Sequence, residues 1–126
     1  MSQKPTERIS DAELAVMQVL WDESPLTATQ VSGRVVSGRD WSLATVKTLL
    51  SRLVAKNAID HRLDGRRFLY APLVEREAYV TGESRRLVDR FFGGKLMPLV
   101  AHLAEQEKLS NDDIAEIERL LREMKS

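Results

Sequence analysis

Apolar residues recur along most of this chain with the spacing of amphipathic helices, and that rhythm is broken once by a short stretch with the spacing of a hairpin. Ser10-Asp11-Ala12-Glu13 has the form of a capping box, and it opens a first helix with Leu14, Met17, Leu20 and Trp21 along one stripe. Asp22-Glu23-Ser24-Pro25 ends that helix, because proline can neither donate to nor continue the helical ladder. Thr27-Ala28-Thr29-Gln30 repeats the capping signature and predicts a short second helix to about Val36, followed by a turn at Ser37-Gly38-Arg39-Asp40. Ser42 then caps a third helix in which Val46, Leu49, Leu50 and Leu53 follow the spacing of a core-facing stripe. Ala44, Lys47, Thr48, Ser51 and Ala55 fall on the opposite side, with Thr45 and Arg52 on a flank. That face is polar but nearly free of acid, as suits a groove walled by phosphates.

The hairpin is read from Asp64-Gly65, a pair typical of a type I′ turn, flanked by residues 58–63 and 66–71. Ile59, Phe68 and Tyr70 are its expected inward residues, and Arg66 and Arg67 are expected to project from its tip. Three helices followed by a two-stranded wing is the order of a winged helix-turn-helix. The expected fold class is mainly α: a winged helix-turn-helix DNA-binding domain over residues 7–74, with a small two-stranded wing, followed by an all-helical domain over residues 75–126.

In that second part, residues 75–92 predict a long helix with Val80, Leu87, Val88 and Phe91 on one side, stopped by Gly93-Gly94. Pro98 sits where a first turn tolerates it, and Leu96, Leu99, Val100 and Leu103 make the next stripe. Ser110-Asn111-Asp112-Asp113 caps a last helix with Ile114, Ile117, Leu121 and Met124. Three helices in ~50 residues bury little surface alone. Their stripes are therefore expected to meet the same stripes of a second chain in a two-fold dimer, through Leu87, Phe91, Leu99, Leu103, Ile114, Ile117 and Leu121. The alternative is a small bundle packed on the winged domain of its own chain.

Charge sharpens this picture. The 126 residues carry 19 basic and 19 acidic side chains, so the net charge is zero. Between Arg34 and Arg67, however, eight basic residues face three acidic ones, a local net of +5, and beyond residue 74 nine basic against eleven acidic residues give −2. A basic footprint beside an acidic remainder fits a confined phosphate-binding surface. The chain has no cysteine, which excludes disulfides, zinc ribbons and thiol nucleophiles. Only His61 and His102 remain as nitrogen ligands, far apart in sequence, so no metal site and no cofactor are expected. The polar first residues lack the apolar core of a signal peptide and no later run would span a bilayer, so the expectation is a cytoplasmic protein with no membrane insertion. No Gly-rich phosphate loop or nucleophile–base pair suggests an enzyme.

Six segments, in order, carry a resemblance: Met17-Gln18-Val19-Leu20-Trp21, Asp40-Trp41-Ser42, Thr45 through Leu53, Tyr70-Ala71-Pro72-Leu73-Val74, Phe92-Gly93-Gly94, and Leu109-Ser110 through Leu121. In this order and spacing the chain resembles the penicillinase-repressor (BlaI/MecI/CopY) family, and the resemblance covers nearly everything from Ile9 to Arg122. The copper-responsive branch carries a cysteine-rich site, so the resemblance is closer to the BlaI/MecI branch. It implies a homodimeric winged-helix repressor that occupies a palindromic double-stranded DNA operator. In antibiotic-resistance members, it further implies a membrane sensor with a metalloprotease domain whose action leads to cleavage in the dimerisation region. The scissile pair there is asparagine–phenylalanine, and the matching pair here is His102-Leu103. Cleavage at that pair is one reading of His102, and a solvent-facing helix residue is the other.

Carried over onto this chain, the helix beginning at Ser42 is the reader of the major groove. Ser42 and Thr45 would bond phosphate or base edges near the helix N-terminus. Lys47 and Thr48 would contact bases, the first by donating to guanine and the second by packing its methyl on thymine. Ser51 shares that face, Arg52 would grip phosphate, and Arg66 and Arg67 would hold the backbone or minor groove from the wing. A winged helix used only for protein–protein contact is the rival reading, and it would call for an apolar or acidic face where Lys47, Thr48, Ser51 and Arg52 stand.

Overall fold

A computed structural model describes residues 8–35, 40–106 and 108–125 of the chain. The elements run α1 (Asp11–Asp22), α2 (Ala28–Arg34), α3 (Leu43–Ala55), β1 (Ile59–Asp64), β2 (Arg67–Pro72), α4 (Arg76–Phe92), α5 (Leu96–Glu105) and α6 (Asn111–Lys125). They divide into two compact units, Met1–Tyr79 and Val80–Ser126. The fold is mainly helical, with a winged helix in the first unit. The expected end of the second helix at Val36 and the turn residues Ser37, Gly38 and Arg39 lie outside the described residues.

Local chemistry accounts for the helix starts. The Ser10 hydroxyl accepts the Glu13 backbone N–H while the Glu13 carboxylate accepts that of Ser10, so two orphan donors of α1 are satisfied reciprocally. Thr27 and Gln30 do the same for α2. At the end of α3 the chain turns through Asn57, whose φ of 61° is the left-handed conformation that asparagine tolerates better than most residues. The Ala58 N–H then bonds back to the Leu53 carbonyl at 3.0 Å, and the chain passes into the wing after only three residues.

The core of the first unit is where α1, α2, α3 and the base of the wing meet. It contains Val16, Met17, Leu20, Val31, Val46, Leu49, Leu50, Leu53, Ala58 and Ile59, sealed by Ile9, Val19 and Leu26. The stripe expected on α1 is wider than its spacing suggested: Val16 and Val19 are buried with Met17 and Leu20, while Leu14 and Trp21 are half-buried. α1 touches α2, α3 and β2, so more than one face is covered. At about 1.5–3 kcal/mol for each fully buried Leu, Val or Met, this cluster dominates the stability of the unit.

The wing is an antiparallel pair with Ile59 opposite Pro72 and Asp64 opposite Arg67. This register corrects the turn. Its two central residues are Gly65 and Arg66, not Asp64-Gly65, and Arg67 is the first residue of β2 rather than part of the tip. Gly65 has φ +67° whereas Arg66 is not left-handed, so the loop follows the Gly-first II′ pattern and not I′, which needs both central residues left-handed. Tyr70 is anchored further by Leu26, which lies between α1 and α2: the two residues exchange backbone bonds of 2.8 and 3.1 Å and act as a one-residue third strand. Ile59 is buried and Tyr70 half-buried as expected, but Phe68 is 43% exposed, contrary to the sequence expectation. It shares the face of Tyr70, yet lies nearer the tip, beyond the reach of the helical core, and packs edge-on against His61 at 4.9 Å.

α1 and the wing are also joined at the wing's far end. The Trp21 indole N–H donates to the Val74 carbonyl at 2.8 Å, and the Trp21 ring packs against Tyr79 at 5.7 Å.

α4 starts at Arg76, within the first unit, and runs on into the second, where Gly93 and Gly94, both left-handed, follow it and the Gly94 N–H bonds to the Val88 carbonyl. Ser110 and Asp113 exchange bonds of 3.0 Å at the start of α6. Among the described residues of α4, α5 and α6 none is buried. Leu99, Leu103 and Ile117 are half-buried, while Leu87, Phe91, Leu96, Ile114, Leu121 and Met124 are exposed.

Candidate nucleic-acid interface

α2 and α3 form the helix-turn-helix, and α3 presents one side to the core and the other to solvent. Val46, Leu49, Leu50 and Leu53 are buried, whereas Ser42, Thr45, Lys47, Thr48, Ser51 and Arg52 are all exposed. The helical period puts Ala44, Thr48 and Ser51 along the middle of the exposed side, with Lys47 and Arg52 on either flank. Small residues in the centre let a helix approach base edges closely, and the flanking cations then reach base edges or phosphates. There is no acidic residue in the first turn of α3 to repel a phosphate.

Hydrogen bonding decides what each hydroxyl can offer. The Ser42 Oγ accepts the Thr45 N–H and also shares a bond of 3.1 Å with the Thr45 hydroxyl. One hydroxyl proton of this pair is thereby used, and the other is left to donate outward. Thr48 donates its hydroxyl to the Ala44 carbonyl at 3.1 Å, so it offers a groove its methyl group and an oxygen lone pair.

The wing follows α3 directly, and both belong to the first unit. Arg66, in the turn, and Arg67 are both exposed. They are not equivalent, because Arg67 stands opposite Asp64 in the register and Arg66 has no such neighbour across the strands. Arg66 is thus the cleaner donor to a phosphate.

Two residues counted in the basic footprint are engaged elsewhere. Arg34 pairs with Glu23 at 3.4 Å on the surface. Lys56 turns inward: its ammonium lies 2.6 Å from the buried Glu13 carboxylate and donates to the Arg8 carbonyl at 2.8 Å. Burial alone would push the Glu13 carboxyl up, but Lys56 and the Ser10 N–H together hold it below the ordinary carboxylate range. The capping box made Glu13 legible in sequence; its second partner, 43 residues away, left no local signal.

The expected dimerisation residues lie in the second unit, as does the expected cleavage pair His102-Leu103 on α5. His102 is exposed and its carbonyl accepts the Gln106 N–H, so the His102–Leu103 bond lies within the final turn of α5. Among the described residues no helix is long and apolar enough to cross a membrane, and no His, Asp and Glu cluster could hold a metal ion.

Comparison with known proteins gives this geometry its context. The family model described as penicillinase repressor matches residues 9–123. The penicillinase repressor of Bacillus licheniformis is 35% identical over 123 residues, 98% of this chain and 96% of the relative. The methicillin resistance regulatory protein MecI of Mammaliicoccus sciuri is 34% identical, over 92% of this chain and 94% of its own. A solved structure, that of the monomeric form of B. licheniformis BlaI in complex with the blaP half-operator, is similar with a TM-score of 0.51 and 38% identity, covering 61% of this chain and 94% of that one. A match along almost the whole length, by a family model and by relatives above 30% identity, places the chain among repressors rather than enzymes: it belongs to the penicillinase repressor family.

Proposed function

We propose that the chain is a cytoplasmic, homodimeric transcriptional repressor that reads a palindromic DNA operator with α3 and holds the duplex with its wing. The observation that carries this reading is the exposed face of α3, which has Thr45, Lys47, Thr48, Ser51 and Arg52 and no acid. A groove walled by phosphates accepts such a face, whereas a protein-binding face would be expected to be more apolar or acidic. The half-operator complex of the B. licheniformis relative supports the same reading. Lys47 and Thr48 take the base contacts, and Ser42, Thr45, Ser51, Arg52, Arg66 and Arg67 the supporting ones. The apolar stripes of α4, α5 and α6 supply the dimer contact through Leu87, Phe91, Leu99, Leu103, Ile114, Ile117 and Leu121.

Release from the operator follows proteolysis at His102–Leu103 by a membrane sensor metalloprotease answering a cell-wall antibiotic. Proteases bind substrates as extended strands. That bond is therefore cut only when the last turn of α5 opens and the bond between the His102 carbonyl and Gln106 breaks.

The test is a titration of the full-length protein against the intergenic DNA upstream of its own gene at two salt concentrations, with an unrelated duplex as competitor. The expected result is competitor-resistant binding that saturates at two chains per palindrome. Weak binding abolished by the competitor would overturn the assignment to this operator and turn attention to other sites or to a protein partner.

A further inference from the structure

Lys56 is the C-cap of the groove helix and sits within the basic stretch of the sequence, yet it faces the interior. Its side chain is 16% exposed and that of Glu13 only 2%. The Glu13 Oε1 atom accepts both the Lys56 ammonium, at 2.6 Å, and the Ser10 backbone N–H, at 2.8 Å. Lys56 also donates to the Arg8 carbonyl. One carboxylate and one ammonium thus tie together the chain entering α1, the first turn of α1 and the end of α3. Two of the three ammonium donors are committed. Reaching for a phosphate instead would strand a buried carboxylate without its cation, which costs more than one phosphate contact returns.

α3 is also anchored by the buried apolar side chains of Val46, Leu49, Leu50 and Leu53. Close apolar packing holds a helix down, but the hydrophobic effect behind it has no preferred direction. A charge-assisted hydrogen bond at one end has a defined direction. We propose that Lys56 and Glu13 are positioning residues for operator reading: they fix the rotation and axial position of α3 against α1, and so the depth at which Lys47, Thr48 and Ser51 enter the groove, without touching DNA. This rests on α3 being the groove helix.

The experiment begins by letting the wild-type protein select a site from a random pool of duplexes. Wild type, Lys56→Met, Glu13→Gln, the double variant and Arg66→Ala are then titrated against that site and an unrelated duplex over a series of salt concentrations. Circular dichroism sets a temperature at which each variant is folded, and the isosteric Glu13→Gln stands in should Lys56→Met fail to fold. The expected result is a loss of about tenfold in the ratio of selected-site to unrelated affinity for Lys56→Met and for Glu13→Gln. The double variant should be no worse than either single one, and the slope of log affinity against log salt should stay at the wild-type value. Arg66→Ala should instead lower that slope by about 0.9, as for one lost phosphate contact. A lowered slope in Lys56→Met would show that Lys56 touches phosphate and would overturn the proposal. So would an unchanged affinity ratio in the folded variants, which would leave the pair a purely structural role. A pool in which no sequence is enriched by the wild type would instead remove the underlying reading of α3, and this inference with it.

Discussion

In the first unit the apolar stripes of α1, α2 and α3 converge with the base of the wing, and Val16, Met17, Leu20, Val31, Val46, Leu50 and Leu53 lose all contact with water. In the second unit the stripes of α4, α5 and α6 are equally regular, yet Phe91 remains 65% exposed, Leu96 60% and Leu121 51%. An amphipathic pattern states what a helix needs to bury, and the difference between the units is whether one chain contains enough partners to bury it. Unit 1 closes its own core around α1, which packs against α2, α3 and β2. Unit 2 leaves much of its stripes exposed, and the proposed dimer would cover them.

The most disruptive way to break this contrast is to place a charge in the uncovered stripe. Phe91→Asp combined with Leu121→Asp should weaken self-association by on the order of a thousandfold, because a desolvated unpaired carboxylate opposes the contact twice in a symmetric dimer. Analytical ultracentrifugation reads this directly, and the melting of the first unit should be unaffected. An unchanged sedimentation coefficient would overturn the proposed dimer contact through these stripes.

Truncation compares the two cores on equal terms. Leu50→Ala should destabilise the winged unit by about 2–5 kcal/mol through the lost transfer energy and the cavity left behind. That loss should be the same at every protein concentration. Leu121→Ala should act only through assembly, so its effect on thermal melting should grow on dilution. Concentration-independent melting in both variants would contradict the division of labour between the units.

A smaller effect separates the helix from the wing within unit 1. Lys47→Ala should cost about 1–3 kcal/mol in operator affinity and relax discrimination at one base position. Arg66→Ala should weaken all sequences alike, and Arg67→Ala less than Arg66→Ala because Asp64 stands opposite Arg67. Binding to a set of single-base operator variants distinguishes the roles, and identical profiles for the Lys47 and Arg66 substitutions would refute them.

The acid limb of stability offers a finer test of unit 1. Glu13 is held below its ordinary carboxylate value in the folded chain, so the unfolded chain binds its proton more readily. Its contribution is therefore fully present above the unfolded carboxylate value. It is lost as pH falls through that value and on through the lower folded one. Denaturant titrations across this range should show Glu13→Gln with a flatter acid limb than wild type, and parallel limbs would remove Glu13 from the account.

Much of this was legible in the sequence because it is governed by neighbours a few residues apart. The capping boxes at Ser10 and Thr27 and the stripe Val46, Leu49, Leu50 and Leu53 depend only on helical spacing, and each stands in the structure as read. The exposure of Lys47, Thr48, Ser51 and Arg52 followed from the same period, and six ordered segments carried the family. The hairpin was found but its details were misplaced: the preference for Asp-Gly pairs suggested one turn, whereas the strand register, from Ile59 opposite Pro72 to Asp64 opposite Arg67, puts Gly65 and Arg66 in the loop. Phe68 was read as inward from alternation alone, and alternation says which face a residue takes but not how far the core extends beneath that face.

By itself, then, the sequence determined the helices, their caps, the polar character of the groove face and membership of the penicillinase repressor family, since short-range spacing and side-chain type suffice for each. Tertiary structure alone decided that Lys56 belongs to Glu13 rather than to the basic surface, that Trp21 holds the Val74 carbonyl and that Leu26 completes the wing. Those pairings join residues 43, 53 and 44 positions apart, and no local propensity encodes them. They exist because burial of the shared core brings distant polar groups together out of water, where each must find a partner or bear the cost of desolvation.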